Sequence, residues 1–330
     1  MILILTGHYD HSTDQVIDWL NYYKARHTRI NDADVFLKEK LNFAISNEDV
    51  SIKINENINL SEIQSAWYRK FGLLMESSVY KLSNQELNGK LTDFFNWEFE
   101  SFMSFFDIGF SKKIEWLCNP NSMKGLTKVK QLIIARSVGL DIPNTVVTND
   151  RQLAKEFLVH HNNMCLTKPI GESSVIQHKS KQYQITPKLI HRSFFKFSLV
   201  KRFFPSLLQE YLDKDIELRI FFLDGKCFSM AIFSQLDEKT KIDFRHYNKQ
   251  KPNRFVPFNL PRHIEIMIVR FMELINLNTG SIDMVKTKDN RYVFLEVNPK
   301  GQFGMVSMPC NYYLEEKVAL SLINKTEKHA

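Results

Sequence analysis

Apolar residues follow two rhythms along this chain. The opening run Met1-Ile-Leu-Ile-Leu5 is unbroken, which predicts a short strand buried on both faces. It lacks the basic n-region and full apolar core of a signal peptide. After Thr6-Gly7-His8 the period changes. Val16, Ile17, Trp19, Leu20 and Tyr23 make one broad helical face, with Ser12 and Gln15 read as a capping box. Further strands are predicted over 34–37 and over Val50–Ile54. Ala66-Trp-Tyr-Arg-Lys70 reads as a packed edge strand with solvated cations. Leu87, Leu91, Phe94, Phe95, Phe99, Phe102, Phe105 and Phe106 recur at helical spacing, the pattern of a core or dimer-interface stripe.

The second half repeats the alternation. Ser122 caps a predicted helix over 123–138 that Gly139 ends. Its apolar side is Leu126, Val129, Ile133 and Val138, and it carries Lys124, Lys128 and Lys130. A turn and strand over 141–147 and a helix over 152–160 lead to a strand over 164–167. That strand runs into Lys168-Pro-Ile-Gly171-Glu-Ser-Ser174, a lysine followed by a short Gly/Ser turn whose N–H groups suit phosphate. Residues 178–204 hold seven Lys or Arg, no acid and interleaved phenylalanines. They read as a half-buried strand, or as a basic aromatic surface for an acidic peptide or single-stranded nucleic acid. A hairpin follows, with strands over 215–222 and 226–233 turning through Asp224-Gly225. Glu217 and Arg219 share a face of its first strand. Asp243-Phe-Arg245 lies in a polar loop. Helices over 263–277 and 313–323 flank the stretch with the most chemistry.

That stretch is a second hairpin, with β-rich runs over 281–286 and 292–297. A tight turn centred on Asp289-Asn290 sets Asp283 opposite Glu296, and Ser281 opposite Asn298. Opposed side chains lie ~5 Å apart at Cβ, so two carboxylates there repel unless a cation intervenes. Asp283, Glu296 and Asn298 form an all-oxygen donor set suited to Mg²⁺.

Length and composition add limits. With 330 residues, 44% of them hydrophobic, the chain supports two domains or three small ones. No run reaches the ~20 apolar residues of a membrane helix. Four scattered cysteines without metal spacing predict reduced thiols and a cytoplasmic protein. A net charge of +7 favours acidic partners. His8, Asp10 and His11 are read as loop residues at a strand-to-helix turn rather than metal ligands, because their spacing is loose.

Taken in order, Lys128, Lys168, Gln209-Glu-Tyr-Leu212, Glu217-Leu-Arg219, Asp243-Phe-Arg245, Asp283 and Glu296-Val-Asn298 resemble the ATP-grasp carboxylate–amine ligases over residues 115–305. The start Leu5-Thr-Gly-His-Tyr-Asp-His-Ser-Thr-Asp14 and the end Leu295-Glu-Val-Asn-Pro-Lys-Gly-Gln-Phe303 look closest to the graspetide macrocyclases, the microviridin-type "grasp-with-spasm" peptide maturases. The resemblance implies an α/β (α+β) protein with an ATP-grasp fold behind a pre-ATP-grasp α/β domain. The implied domains are 1–115, a small central subdomain over 116–205, and a C-terminal subdomain over 206–330 with the metal-binding hairpin.

It also implies site roles. Lys128 and Lys168 hold ATP phosphates. The backbone of Gln209, Glu210, Tyr211 and Leu212 reads adenine, and Glu217 takes ribose hydroxyls. Asp283, Glu296 and Asn298 hold Mg²⁺, two ions in all. Arg219 and Arg245 face the transferring phosphoryl group. The implied chemistry is ATP-dependent activation of Asp or Glu side chains of a ribosomally made precursor peptide, then ester or amide closure by Ser, Thr or Lys. The implied partner is that precursor, a leader plus an acidic core; the aromatic stripe near residues 94–106 adds the expectation of a homodimer. Two other readings stand beside this one: a ligase adding a free amino acid to a peptide or protein, and a nucleic-acid-binding protein using residues 178–204. A complete Mg²⁺ donor set argues against the last.

Overall fold

A computed structural model describes residues 1–32, 34, 40–48, 50–55, 58–59, 62–71, 91, 94–95, 97–98, 101, 114–171, 175–178, 181–194, 202–245 and 248–327. In chain order its elements are β1 (Ile2–Thr6), α1 (His11–Tyr22), β2 (His27–Asn31), β3 (Leu41–Ile45), β4 (Val50–Ile54), β5 (Ile58–Asn59), β6 (Ser65–Tyr68), β7 (Glu115–Leu117), α2 (Pro120–Met123), α3 (Lys128–Ser137), β8 (Thr145–Asp150), α4 (Arg151–His160) and β9 (Met164–Lys168). They continue with β10 (Val175–His178), β11 (Lys181–Gln184), β12 (Lys188–His191), β13 (Arg202–Glu210), β14 (Lys214–Leu223), β15 (Lys226–Ile232), β16 (Phe255–Pro257), α5 (Arg262–Leu274), β17 (Thr279–Thr287), β18 (Tyr292–Asn298), α6 (Gly304–Cys310) and α7 (Leu314–Glu327). The chain divides into two compact units.

The first unit comprises residues 1–124, 277–280 and 299–330. Its parallel sheet runs β2-β1-β6-β7. β1 is buried along its whole length, as an unbroken apolar run requires. Leu3 and Leu5 pack with Ile30, Ala66, Tyr68 and Phe71. Helix α1 starts at His11, with Asp10 rather than Ser12 in the cap position. The Asp10 side chain caps no helix N–H; it accepts instead from Thr13 Oγ1 at 2.8 Å and Lys70 Nζ at 3.0 Å.

β6 is an interior strand, not an edge, and Arg69 after it is buried. Its guanidinium donates from Nε to Asp10 and from Nη1 to the carbonyls of Lys300 and Gly301, and it stacks over Phe303. Of the loop group, His8 pairs with Asp34 at 3.2 Å while His11 is exposed, so the three are not gathered as metal ligands. Of the strand predicted over 34–37 only Asp34 is described, and it is not in a strand; most of the aromatic stripe lies outside the described residues. Within the stripe Phe94 is exposed, as is Trp97 beside it.

The second unit comprises residues 125–276 and 281–298. One antiparallel sheet runs β12-β9-β13-β8, and α4 packs Ala154 and Leu158 against its Cys165 and Leu208. Phe203 joins that cluster while Arg202 and Phe204 point outward. That half-buried alternation is one of the two readings of the basic segment. The other sheet runs β16-β15-β14-β17-β18, covered by Ile264, Ile268, Phe271 and Met272 of α5. The two-residue turn at Asp224-Gly225, expected from the sequence, has positive φ at both positions, which is type I′ geometry. The compact units thus cut the chain differently from the stretches 1–115, 116–205 and 206–330. Residues 299–330 belong with the first unit because α7 packs on β6 and α1, where Ser65 Oγ meets Leu322 O at 3.1 Å.

The helix predicted over 123–138 is broken in two. Gly125 takes φ +68°, and Thr127 caps a new start by accepting from Lys130 N. The buried face of α3 is Gln131, Leu132 and Ala135, leaving Ile133 exposed. A polar buried residue hides such a face from an apolar-periodicity reading. Among the described residues no helix is long and apolar enough to cross a membrane. The four cysteines are free, and burial pushes the Cys118 and Cys227 thiols up to about 12.

Candidate active site

The metal-type hairpin pairs Ser281 with Asn298 and Asp283 with Glu296, as counted from the sequence, but by a different route. Its tip is three residues long. Thr287 N–H donates to Arg291 O, and Asn290 takes φ +64°, the arrangement of a three-residue hairpin loop. That loop shifts the register by one, pairing Val285 with Val293. A β-bulge between the 283/296 and 284/294 pairs shifts it back. The extra residue is Leu295. Leu295 and Glu296, though adjacent, both line one cleft, because a bulge sets two residues against one.

β18 is an edge strand, and its outward N–H groups are not left open. Val297 N–H donates to buried Gln131 Oε1 at 2.9 Å, and Phe294 N–H to Asp141 O at 2.8 Å. Gln131 therefore holds the peptide between Glu296 and Asn298. No apolar pattern marks it; the only sequence sign is its place one turn after Lys128. Lys128 is the first residue of α3, where the helix dipole disfavours a cation. Its Nζ lies 2.8 Å from Gly171 O and 3.9 Å from Glu296 Oε2. The residues just beyond, 172–174, lie outside the described set.

The cleft is lined by Lys128, Lys168, Gln209, Glu210, Tyr211, Leu212, Glu217, Arg245, Asp283 and Glu296. Ten of the twelve expected site residues thus meet in one place. Arg219 stands behind it, with Nη1 2.6 and 2.8 Å from the two oxygens of Asp283. Asn298 is exposed and does not line the cleft. Lining residues that the sequence reading missed include Leu166, Ile242, Val285 and Leu295, an apolar set. A period-2 reading assigns such residues to core, so only the tertiary fold distinguishes cleft wall from interior.

Several groups are electrostatically coupled. Burial pulls the Lys168 ammonium below its ordinary value. Glu296 and Asp283 oppose that pull, while Lys128 and Arg245 add to it. Arg245 is held charged chiefly by its hydrogen bonds to Asp243, at 2.8 Å from Nε and 2.7 Å from Nη2. Burial raises Glu217, against the pull of Lys214. Glu210 is tied to Asn144 at 2.8 Å, and Gln209 donates to Thr145 at 2.9 Å, so their side chains brace β13 where it leaves for β14. Glu210 Oε1 and Arg219 Nε are buried without a hydrogen-bond partner among the described residues.

Among the described residues, no three His, Cys, Asp or Glu gather into a complete metal-binding cluster. Two opposed carboxylates remain, and these fit Mg²⁺ of the kind that takes one or two carboxylates and completes its shell with water and phosphate oxygens.

The fold is that of the ATP-grasp ligases, as the ordered motifs implied. Over all of its length the chain is similar to a RiPP-associated ATP-grasp ligase of Chryseobacterium gregarium, solved in complex with ADP and a leader and core peptide, with TM-score 0.80, 23% identity and 97% of that chain covered. It is also similar to the macrocyclase MdnC of Microcystis aeruginosa MRC bound with precursor peptide MdnA, with TM-score 0.78, 24% identity and 98% and 99% of the two chains covered. A third likeness is to the ATP-grasp ligase PsnB complexed with minimal precursor, Mg and ADP, with TM-score 0.76, 17% identity and 98% and 97% covered. No protein-family model and no curated protein matches the sequence.

Proposed function

We propose that this chain is an ATP-dependent peptide macrocyclase. It activates Asp or Glu side chains of a ribosomally made precursor and closes them onto Ser or Thr hydroxyls or Lys amines. The observation that carries the reading is the gathering of Lys128, Lys168 and Arg245 with Asp283 and Glu296 in one cleft, in a fold shared with ligases solved on precursor peptides.

Phosphoryl transfer needs positioned cations rather than a protein nucleophile. Lys128 and Lys168 bind the phosphates. Glu210 Oε1, a buried acceptor without a partner among the described residues, suits a base amino group at the Gln209–Leu212 crossing. Leu166, Val285 and Leu295 supply apolar walls, and Glu217 accepts ribose hydroxyls. Asp283 and Glu296, with Asn298 at the strand end, would hold Mg²⁺, which neutralises phosphate charge when bound.

A substrate carboxylate oxygen attacks the γ-phosphorus and ADP leaves. A hydroxyl or amine of the same peptide then attacks the acyl carbon, losing its proton, and phosphate leaves. Arg219 and Arg245 stabilise charge as it moves. The basic chain supports an acidic peptide, held by a leader contact as well as by the reacting core. A homodimer belongs to the same proposal.

Three measurements test this. Mass spectrometry of precursor with enzyme, ATP and Mg²⁺ should show loss of one water per ring; gain of an amino acid's mass selects the free-amino-acid ligase instead. A leaderless core at low micromolar concentration should react more slowly than the full precursor, and peptide binding should weaken with salt. Separately, Arg245→Ala should bind ATP nearly normally yet turn over slowly, by roughly 10²-fold or more. A rise confined to the Michaelis constant for ATP contradicts that role.

A further inference from the structure

Glu217 is not held as an ordinary strand residue. Lys214 is itself buried, and its Nζ donates to Glu217 Oε1 at 3.0 Å and to Ile242 O at 3.0 Å. Ser234 Oγ donates to the same oxygen at 2.6 Å. Positions three apart on a regular strand face opposite ways. The Lys214–Glu217 contact exists because Lys214 is the first residue of β14, where alternation has not yet set in. Both donors converge on Oε1, and among the described residues no hydrogen bond uses Oε2. The carboxylate lines the cleft, so one oxygen is anchored and the other remains an acceptor.

Burying an ammonium and a carboxylate is rarely the most stable solution, since apolar residues of similar volume do as well or better. The pair therefore calls for a reason beyond stability. Burial, and the Asp243 carboxylate nearby, push Glu217 toward its neutral form, while Lys214 and Ser234 pull it back toward the ionised one. An ionised carboxylate with one fixed oxygen is a strong, oriented acceptor for vicinal hydroxyls.

Resting on the ATP-site reading above, we infer that Lys214, seconded by Ser234, is a positioning residue that sets the selectivity of the nucleotide site for a ribose over a 2′-deoxyribose. It acts through Glu217 and not on the phosphates, so its loss alters which sugar is bound.

The test is calorimetric binding of ATP and 2′-deoxy-ATP to the full chain, with Mg²⁺, between pH 6 and pH 9. Wild type should favour ATP by about 10-fold or more, the scale of one charge-assisted hydrogen bond. Lys214→Met should reduce that ratio toward one. Its remaining ATP affinity should strengthen as pH rises, because Glu217, its pKa now raised further, regains its charge only at higher pH. Lys214→Arg should restore most of the preference, and Ser234→Ala should move the ratio and the pH profile the same way by less. If Lys214→Met does not fold, Ser234→Ala carries the test alone. A Lys214→Met or Ser234→Ala protein with wild-type ATP preference and a wild-type pH profile overturns the inference while leaving the ATP site standing. A wild type that binds neither nucleotide overturns both.

Discussion

Glu296→Gln is expected to keep the fold and lose Mg²⁺-dependent ATP cleavage, by roughly 10²–10³-fold. Shape is preserved, since glutamine is isosteric and the Glu296 side chain is 29% exposed. Charge is what disappears. With no third His, Cys, Asp or Glu clustered there among the described residues, Asp283 and Glu296 supply all the fixed negative charge for a divalent cation. Asp283 already shares its two oxygens with Arg219, which makes Glu296 the less encumbered of the two. Phosphate release measured across a Mg²⁺ titration, beside a thermal melt, reads both halves of the expectation. Wild-type turnover at wild-type Mg²⁺ dependence would sink the metal assignment.

Lys168→Met should weaken ATP binding by about one to two decades, since a charge-assisted contact contributes about 1.5–3 kcal/mol. The same substitution should not lower the melting temperature. Burial depresses the Lys168 pKa from its ordinary 10.5, so between the depressed and ordinary values the unfolded chain binds more protons than the folded one. Stability therefore rises with pH through that window, and at neutral pH the charged lysine is a net burden on the fold. Removing it relieves the burden while removing a phosphate contact. ATP affinity of the wild type should in turn fall as pH climbs through the same window. Unchanged nucleotide affinity in calorimetry, or a large drop in melting temperature, would show Lys168 to be structural instead.

Much of the site was legible because its residues sit on strands, and strand alternation is a local property. Glu217 beside Arg219, and Glu296 beside Asn298, share faces for that reason alone. The pairing of Asp283 with Glu296 was also read correctly, though through a turn of the wrong length. The three-residue tip and the Leu295 bulge displace the register by one in opposite senses and cancel. Neither departure is encoded by period-2 patterning. The turn depends on Asn290 taking positive φ; the bulge coincides with the change in which N–H groups of β18 face outward, toward Asp141 O and Gln131.

By itself, then, the sequence determined the β-rich hairpins, the buried first strand, the order of cationic and acidic motifs, and through them the ATP-grasp architecture. Only the tertiary structure decided which polar residues are buried and to what end. Gln131 meets Val297 across 166 positions, and Arg69 meets the Lys300 carbonyl across 231. Each satisfies a buried donor or acceptor that a distant segment presents, and that demand is invisible until the segments meet. The same holds for residues 299–330, which belong to the first unit although most of the second precedes them in the sequence. Local periodicity reports which face a residue takes on its own element. What that face touches is set by long-range packing, and that packing makes Leu295 a cleft wall and Ile133 a surface residue.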